Sequence, residues 1–202
     1  MTQSTKDKIF YTSLDLFSQR GFSGVSIREI TREVGIKESS LYNHYRNKDE
    51  IFESILTFFR EDFSKTLPPV ELLDDILENS TVESFLKAGH RNFKKYMEDE
   101  TGQKMWRILQ AEQFRSPLAR EIILNDLFKT TITFLELVFT KFIEMEKIRP
   151  LDPKMLATEY QYPVFSLLTE YNILKFDNQD TSEVETKLDQ HISFFLDMIT
   201  LN

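Results

Sequence analysis

The stretch REITREVGIKESSLYNHYRNKDEIF, residues 28–52, contains most of one short helix, the whole of a second and the start of a third. Just before it, Ser26 is followed three residues later by Glu29, the capping-box arrangement that starts a helix. Gly35 supplies a left-handed turn that ends this helix, and a second helix is predicted over about 37–45. Helices this short are marginal on their own, so the surrounding chain must hold both in place.

Two short helices joined by a glycine turn are typical of a helix-turn-helix, in which the second helix lies in the DNA major groove. The residues around the turn predict a shared core of Ile30, Val34, Ile36 and Leu41, with Thr31 where the helices approach most closely. Tyr45, four residues after Leu41, would also face inward. The outward side chains suit base edges and phosphates, and they are Ser39, Ser40, Asn43 and His44, with Tyr42 on the flank.

The remaining sequence predicts an all-α protein. A first helix opens at Ser4 and ends before Gly21, and Asn47 caps a fourth helix that continues to the LPP sequence at 67–69. Further helices are predicted at about 70–79, 82–98, 102–115, 117–147, 153–175 and 181–200, with a possible break at Asn125–Asp126. We expect a three-helix DNA-binding head over residues 1–48 and a larger helical domain for effector binding and dimerisation over 49–202.

The charge is unevenly distributed along the chain. The net charge is −8, but residues 1–48 hold eight Lys/Arg against five Asp/Glu, a net charge of +3, which leaves −11 for the rest. A basic head on an acidic body fits a protein whose head contacts DNA. The chain has no cysteine, no secretory signal and no run of 18 apolar residues, which favours the cytoplasm and no contact with a membrane.

Catalytic and metal-binding motifs are absent from the sequence. His44, His90 and His191 are scattered without metal-ligand spacing, and there is neither a glycine-rich phosphate loop nor a G-x-S-x-G nucleophile motif. The sequence therefore predicts a protein that is not an enzyme and needs no metal or other cofactor.

The head resembles the TetR (tetracycline-repressor) family of regulators over about 47 residues. The resemblance rests on LDLFSQRGFSGVSIREI, VGI and SLYNHYRNKDEIF, which match the family's pattern at many spaced positions. It implies a homodimer that binds double-stranded operator DNA through the third helix, with a C-terminal domain that often holds a small effector. It also implies phosphate contacts from Tyr42 and Lys48, and a phosphate contact from the capping residue Ser26.

Three positions depart from the family pattern. Thr31 and Val34 stand where alanine is usual, and the Thr31 hydroxyl could bond back to its own helix. Lys37 stands where a serine usually caps the third helix, which would cost that helix about 1 kcal/mol. Lys37 also adds a positive charge beside the groove, so we include it among the DNA-binding candidates.

The last two predicted helices carry apolar stripes that could form a dimer interface. Helices of this kind at the end of a chain can pair with their symmetry mates as a four-helix bundle. The predicted interface residues are Val164, Leu167, Leu168, Tyr171, Leu188, Ile192, Phe195 and Ile199. The alternative is that both stripes close the protomer's own core.

An effector pocket is predicted from aromatic residues near Pro163, which lies inside a helical pattern and removes a backbone hydrogen bond. The candidate lining residues are Phe85, His90, Met105, Trp106, Phe114, Tyr160, Tyr162 and Phe165. Such residues would suit an apolar, aromatic or acyl ligand. The alternative is that these aromatic residues are ordinary core.

Together these features predict a transcription regulator, a repressor released from a palindromic operator when a small ligand binds. Two alternatives stay open within regulation, namely an activator and a regulator controlled by a partner protein. A third alternative is a helical interaction module whose head does not bind DNA.

Overall fold

A computed structural model describes residues 4–201 of the chain. Over those residues the backbone forms helices and turns without a β-strand, which confirms the predicted all-α class. The described chain divides into two compact units. The first runs through Lys65 and includes Tyr96–Ile123, and the second consists of Thr66–Lys95 and the chain from Leu124 onward. This division differs from the functional boundary at residue 48, which stays a prediction.

The first four helices are α1 (Thr5–Arg20), α2 (Ile27–Val34), α3 (Glu38–Leu41) and α4 (Lys48–Ser64). Three of them, α1, α2 and α4, begin at the predicted caps, and α1 and α2 end at the predicted glycines. Ser4 and Ser26 each form a complete capping box, because the acid three residues later bonds back to the cap. Asn47 Oδ1 accepts a 2.8 Å hydrogen bond from the Glu50 N–H and caps α4. These caps satisfy the backbone N–H groups that a helix start leaves free.

The rest of the chain is helical close to the predicted boundaries. A 3₁₀ turn at Val70–Leu72 leads into α5 (Leu73–Glu78), and the helices that follow are α6 (Val82–Glu98), α7 (Glu100–Glu112), α8 (Pro117–Glu121), α9 (Thr131–Glu144), α10 (Pro153–Phe176) and α11 (Ser182–Ile199). Between α8 and α9, Ile122–Thr130 is a π-helix. The chain therefore stays helical through Asn125–Asp126, where the sequence left a break possible. None of the helices within residues 4–201 has the length and apolar character needed to span a bilayer.

Each unit has its own apolar core. In the first unit α1 packs against α2, α4 and α7, and its fully buried side chains include Phe17, Ile30, Leu41 and Phe59. In the second unit α10 packs against α9 and α11 around Phe139, Phe142 and Phe195. The helix-turn-helix is thus built into the core of the first unit.

Candidate nucleic-acid interface

The second helix provides a rigid base for the third. Ile30 is fully buried on the inner face of α2, and Thr31 beside it is 2 % exposed. The Thr31 hydroxyl donates to the Arg28 carbonyl at 3.2 Å, which confirms the expected bond back to its own helix. Gly35 ends α2 with φ +76°, a left-handed conformation that side chains other than glycine rarely adopt.

The third helix is shorter than expected and depends on two anchors. It begins at Glu38 without a side-chain cap from Lys37, as predicted, but ends at Leu41 rather than near Tyr45. After Leu41 the chain continues as a turn in which the Tyr45 N–H donates to the Leu41 carbonyl at 3.0 Å. Leu41 is 0 % and Tyr45 4 % exposed, and burial raises the pKa of the Tyr45 phenol. The two anchors fix the segment because a single helical turn cannot hold itself.

Between and beside these anchors the polar side chains point to solvent. Tyr42 is 52 % exposed, and Ser40 is half-buried. The exposed members of the predicted set are Ser26, Lys37, Ser39, Tyr42, Asn43 and His44. The structure therefore brings a hydroxyl, an amide, a phenol and an imidazole together on one short surface, which we call the reading surface (residues 37–44).

Lys48 has a structural role that the sequence did not reveal. Its Nζ donates to the carbonyls of Phe22 and Val25, both at 2.8 Å, and lies 4.1 Å from the centre of the Phe22 ring. These bonds use two of its three N–H groups and tie the start of α4 to the loop before α2. Lys48 and Ser26 also share an open surface depression, lined by Ser23, Gly24, Val25, Ser26, Ile27, Glu29 and Lys48.

The acid that lines this depression, Glu29, is held by an ion pair and by hydrogen bonds from its neighbours. Glu29 accepts hydrogen bonds from Arg20 at 2.8 Å and from the Ser26 N–H at 2.8 Å. The Arg20 bond first, and then the bonds from Ser26, lower the pKa of Glu29 to about 2. Arg28 and Arg32, four residues apart on α2, are exposed. They were not among the predicted contacts, although a pair of cations at this spacing on the first helix of the motif is a signal for backbone binding.

The predicted dimer residues lie inside the second unit instead. Leu188, Ile192, Phe195 and Ile199 are each at most 2 % exposed, and Leu168 and Tyr171 at most 4 %. Val164 and Leu167 are partly buried, and Val164 packs against the same core. Side chains this enclosed by their own protomer cannot form the contact surface for a second copy. Six of the eight residues predicted as a dimer interface are therefore buried within the protomer, while Val164 and Leu167 are partly exposed.

The predicted pocket residues are divided between the two units. Met105 and Trp106 are buried in the first unit, and Trp106 lies 6.5 Å from the ring of Phe59. Phe114, in the same unit, is 84 % exposed and Tyr162, in the second unit, 49 %, so neither lies in a protein interior. The remaining candidates belong to the second unit and are at least partly buried there, and they are Phe85, His90, Tyr160 and Phe165.

Two ionisable groups among these candidates respond to burial. Burial lowers the pKa of His90 and raises the pKa of Tyr160. Tyr160 packs against Phe195, and its carbonyl lies 3.1 Å from Nε2 of His191. These are contacts of a packed core, so they place Tyr160 in the scaffold of the second unit.

Comparison with known proteins identifies the head. Residues 9–55, which run from α1 into α4, match the profile of the bacterial regulatory proteins of the tetR family. Over these residues the head is similar to the tetR-family regulatory proteins. The match covers the capped α2, the Gly35 turn and the whole reading surface.

Curated relatives share this head with the chain. The probable HTH-type transcriptional regulator YttP of Bacillus subtilis is 36 % identical over 87 residues, covering 43 % of this chain and 41 % of YttP. IcaR of Staphylococcus epidermidis, a negative regulator of the biofilm operon icaADBC, is 47 % identical over 47 residues, covering 23 % and 25 %. The chain thus matches less than half the length of these relatives.

Solved structures share the fold along the whole chain. A TetR-family regulator from Pseudomonas syringae pv. tomato superposes with a TM-score of 0.60 at 19 % identity, covering 100 % of both chains. The complex of SmeT with triclosan superposes with a TM-score of 0.67 at 15 % identity, covering 99 % of this chain and 93 % of SmeT. The chain therefore has the fold of TetR-family regulators, with a helix-turn-helix followed by a helical domain.

Proposed function

We propose that this chain is a DNA-binding transcription regulator, a repressor that leaves a palindromic operator when a small apolar or aromatic ligand binds. The observation that carries the proposal is the reading surface, whose polar side chains are exposed while Leu41 and Tyr45 are buried beneath them. A binding protein of this kind needs no catalytic group. Its work on chromosomal DNA would place it in the cytoplasm.

The polar residues of the reading surface and of the neighbouring α2 and α4 starts divide into two roles. Ser39 and Asn43 carry the donor and acceptor groups that suit base edges, and an asparagine amide can pair with both N6 and N7 of adenine. Tyr42, Lys37 and Ser26 suit phosphates, which fix the position of the protein without reading sequence. Lys48 retains one N–H for a phosphate, since its other two donate within the protein. His44 and the half-buried Ser40 complete the surface, and Arg28 and Arg32 add charge on α2.

Selection from random duplexes tests DNA binding directly. The full-length protein should enrich a palindrome at low salt, and Asn43→Ala should change the preferred base at one position in each half-site. Tyr42→Phe should weaken binding to all sequences alike, because it removes a phosphate contact. The matched control is Tyr11→Phe, at an exposed tyrosine of α1. If the wild-type protein enriches no palindrome, the head does not read DNA and the interaction-module alternative is favoured.

A homodimer is proposed on the outer faces of α10 and α11. Exposed apolar side chains on these helices include Tyr162, Ile173, Phe176, Phe194 and Met198. Lys187 of α11 bridges Glu170 of α10 at 3.3 Å. Glu170 lies three residues before Ile173, and Lys187 lies seven residues before Phe194. These spacings put each exposed apolar residue on the same side of its helix as the ion pair, so one side of the helix pair carries the exposed apolar residues of both helices. Each head reads only a few base pairs, so a two-fold operator requires such a pairing.

Analytical sedimentation, which distinguishes dimer from monomer, tests this interface. Ile173→Asp should convert the dimer to a monomer, because it puts a charge into an apolar contact. Val70→Asp is the matched control, at a residue that is 57 % exposed but outside both helices. A wild-type protein that sediments as a monomer at every concentration would contradict the proposed dimer.

The effector is proposed from chemistry and from a protein of the same fold. SmeT was solved in complex with triclosan, and the present chain buries many aromatic residues in both units. Titration with triclosan should quench Trp106, the chain's one tryptophan, and release the protein from its selected operator. A panel of apolar, aromatic and acyl compounds extends the test. If ligands never change operator affinity, control by a partner protein is favoured, and increased transcription from the operator would indicate an activator.

A further inference from the structure

Glu112 brings a buried carboxylate from α7 to the loop before α2. It is the last residue of α7 and is 2 % exposed. Its Oε1 accepts a 3.0 Å hydrogen bond from the backbone N–H of Phe22, a residue 90 positions earlier in the chain. Both residues belong to the first compact unit. The contact therefore joins α7 to the head in the part of the molecule that carries the helix-turn-helix.

The Phe22 peptide is held from two sides. Its N–H donates to Glu112, while its carbonyl accepts the 2.8 Å bond from Lys48 Nζ at the start of α4. Lys48 also holds the carbonyl of Val25, the residue just before the α2 cap. The loop from Gly21 to Ser26 thus has fixed points at each end. Because α2 begins at the end of this loop, these bonds determine where α2 starts and so where α3 lies.

A second tie keeps α7 alongside α1. Lys104 of α7 forms an ion pair with Asp15 of α1 at 2.5 Å. Asp15 and Phe22 are seven residues apart, and Lys104 and Glu112 are eight, so the two helices run in the same direction. At 1.5 Å per residue the two ties are about 11 Å apart. Two ties at this distance prevent α7 from pivoting on the head.

A carboxylate is energetically unfavourable at this buried position. A buried charge loses its hydration and needs strong partners. The carboxylate also lies just beyond the C-terminal end of α1, where the helix dipole disfavours negative charge. Gly21 leaves room for it, because a Cβ built there would lie 3.3 Å from Oε1 and the residue has φ +71°. An apolar side chain would fill the same space without these costs, so packing alone does not explain the residue.

We infer that Glu112 is a positioning residue for DNA binding, which sets the orientation of the helix-turn-helix on α7 by holding the Phe22 amide. The inference rests on the proposed function, since it concerns how the head is presented to an operator. A head held in one orientation fits one half-site spacing, whereas a loosened head fits several spacings less well. Glu112 thereby contributes to operator choice without touching DNA.

Three variants of the full-length protein test the role. Glu112→Met removes the acceptor while nearly conserving size, and Glu112→Gln keeps an acceptor oxygen at the same reach. Asp15→Asn is the matched control, because it breaks the second tie without touching the Phe22 amide. The first measurement is hydrogen exchange at the Phe22 amide without DNA. The second is affinity for the selected operator and for versions with one base pair added or removed between the half-sites.

Glu112→Met should speed exchange at Phe22 roughly tenfold, as expected for the loss of one hydrogen bond. It should also reduce discrimination between the three operators several-fold, while Glu112→Gln keeps wild-type behaviour in both measurements. Asp15→Asn should keep wild-type exchange at the Phe22 amide, which its ion pair does not touch. The inference is overturned if Glu112→Met and Glu112→Gln behave alike, or if exchange changes but spacing discrimination does not. If the wild-type protein selects no operator, the proposed function fails and the DNA role of Glu112 fails with it. The exchange measurement then still reports whether Glu112 holds the loop.

Discussion

Two adjacent phenylalanines of α11, Phe194 and Phe195, should respond very differently to substitution by alanine. Phe195 is 1 % exposed, with its ring centre 5.1 Å from that of Tyr160 and 5.6 Å from that of Phe139. Phe194 is 64 % exposed. Phe195→Ala should therefore destabilise the fold strongly, and Phe194→Ala should leave the protomer almost unchanged.

The size of the effect follows from burial. Truncating a fully buried phenylalanine to alanine costs about 4 kcal/mol, from lost transfer free energy and the cavity left behind. Loss of the two aromatic contacts is part of that figure. Domains are commonly stable by only about 5–15 kcal/mol, so the loss is a large share of the total. Surface substitutions usually change stability by less than about 0.5 kcal/mol.

Urea unfolding at several protein concentrations separates the two variants. Far-ultraviolet circular dichroism reports both units, while the fluorescence of Trp106 reports the first unit, to which it belongs. The loss of unfolding free energy in Phe195→Ala should be seen by circular dichroism and should not depend on protein concentration. Any loss in Phe194→Ala should depend on concentration, because it would act through the dimer. Equal losses in both variants, or a loss below about 1 kcal/mol in Phe195→Ala, would refute the assignment of this stripe to the core.

Three further predictions concern the head. Asn47→Ala removes the cap of α4 and should lower the free energy of unfolding by about 1 kcal/mol, whereas Asn47→Asp, which can still cap, should restore most of it in the same urea assay. Lys48→Met breaks two charge-assisted bonds and should lower the free energy of unfolding by about 2 kcal/mol. The control Lys8→Met, at an exposed lysine of α1, should change it by less than about 0.5 kcal/mol. Similar changes in both variants would show that the bonds to Phe22 and Val25 contribute little. Glu29 has its pKa lowered from 4.5 to about 2, so it stabilises the fold above its ordinary pKa and loses that contribution as the pH falls toward 2. The stability advantage of wild type over Glu29→Gln, measured by urea unfolding at about pH 6 and about pH 2.5, should shrink in acid, and an advantage that grew in acid would contradict the assigned bonds.

Features that depend on neighbours in sequence were predicted well. The caps at Ser4, Ser26 and Asn47 were confirmed, because a cap bonds to a backbone group only three residues away. The left-handed turn at Gly35 was confirmed for the same reason. The end of α3 was not, since a turn without a cap is shaped by its anchors, and the packing of Leu41 and Tyr45 fixed its length.

Features that depend on distant residues were predicted less well. Helical periodicity indicates that a stripe is buried but not which surface covers it, so the stripe through Leu188 and Phe195 was assigned to a partner instead of the protomer's own core. Aromatic residues such as Phe114 and Tyr162 were expected to meet in one pocket, yet both are exposed. The hydrogen bond between Glu112 and Phe22 joins residues 90 positions apart, so no local sequence pattern predicts it.

In residues 38–45 the buried anchors and the exposed side chains proposed to contact DNA are different residues, and this has a consequence for how such proteins diversify. Leu41 and Tyr45 carry the folding of this segment, while Ser39 and Asn43 are exposed and add little to it. Mutations at the exposed positions are therefore nearly neutral for folding. A gene copy could drift through many combinations of these side chains while the protein stays intact. New operator preferences can then arise without a loss of stability that later mutations would have to repair.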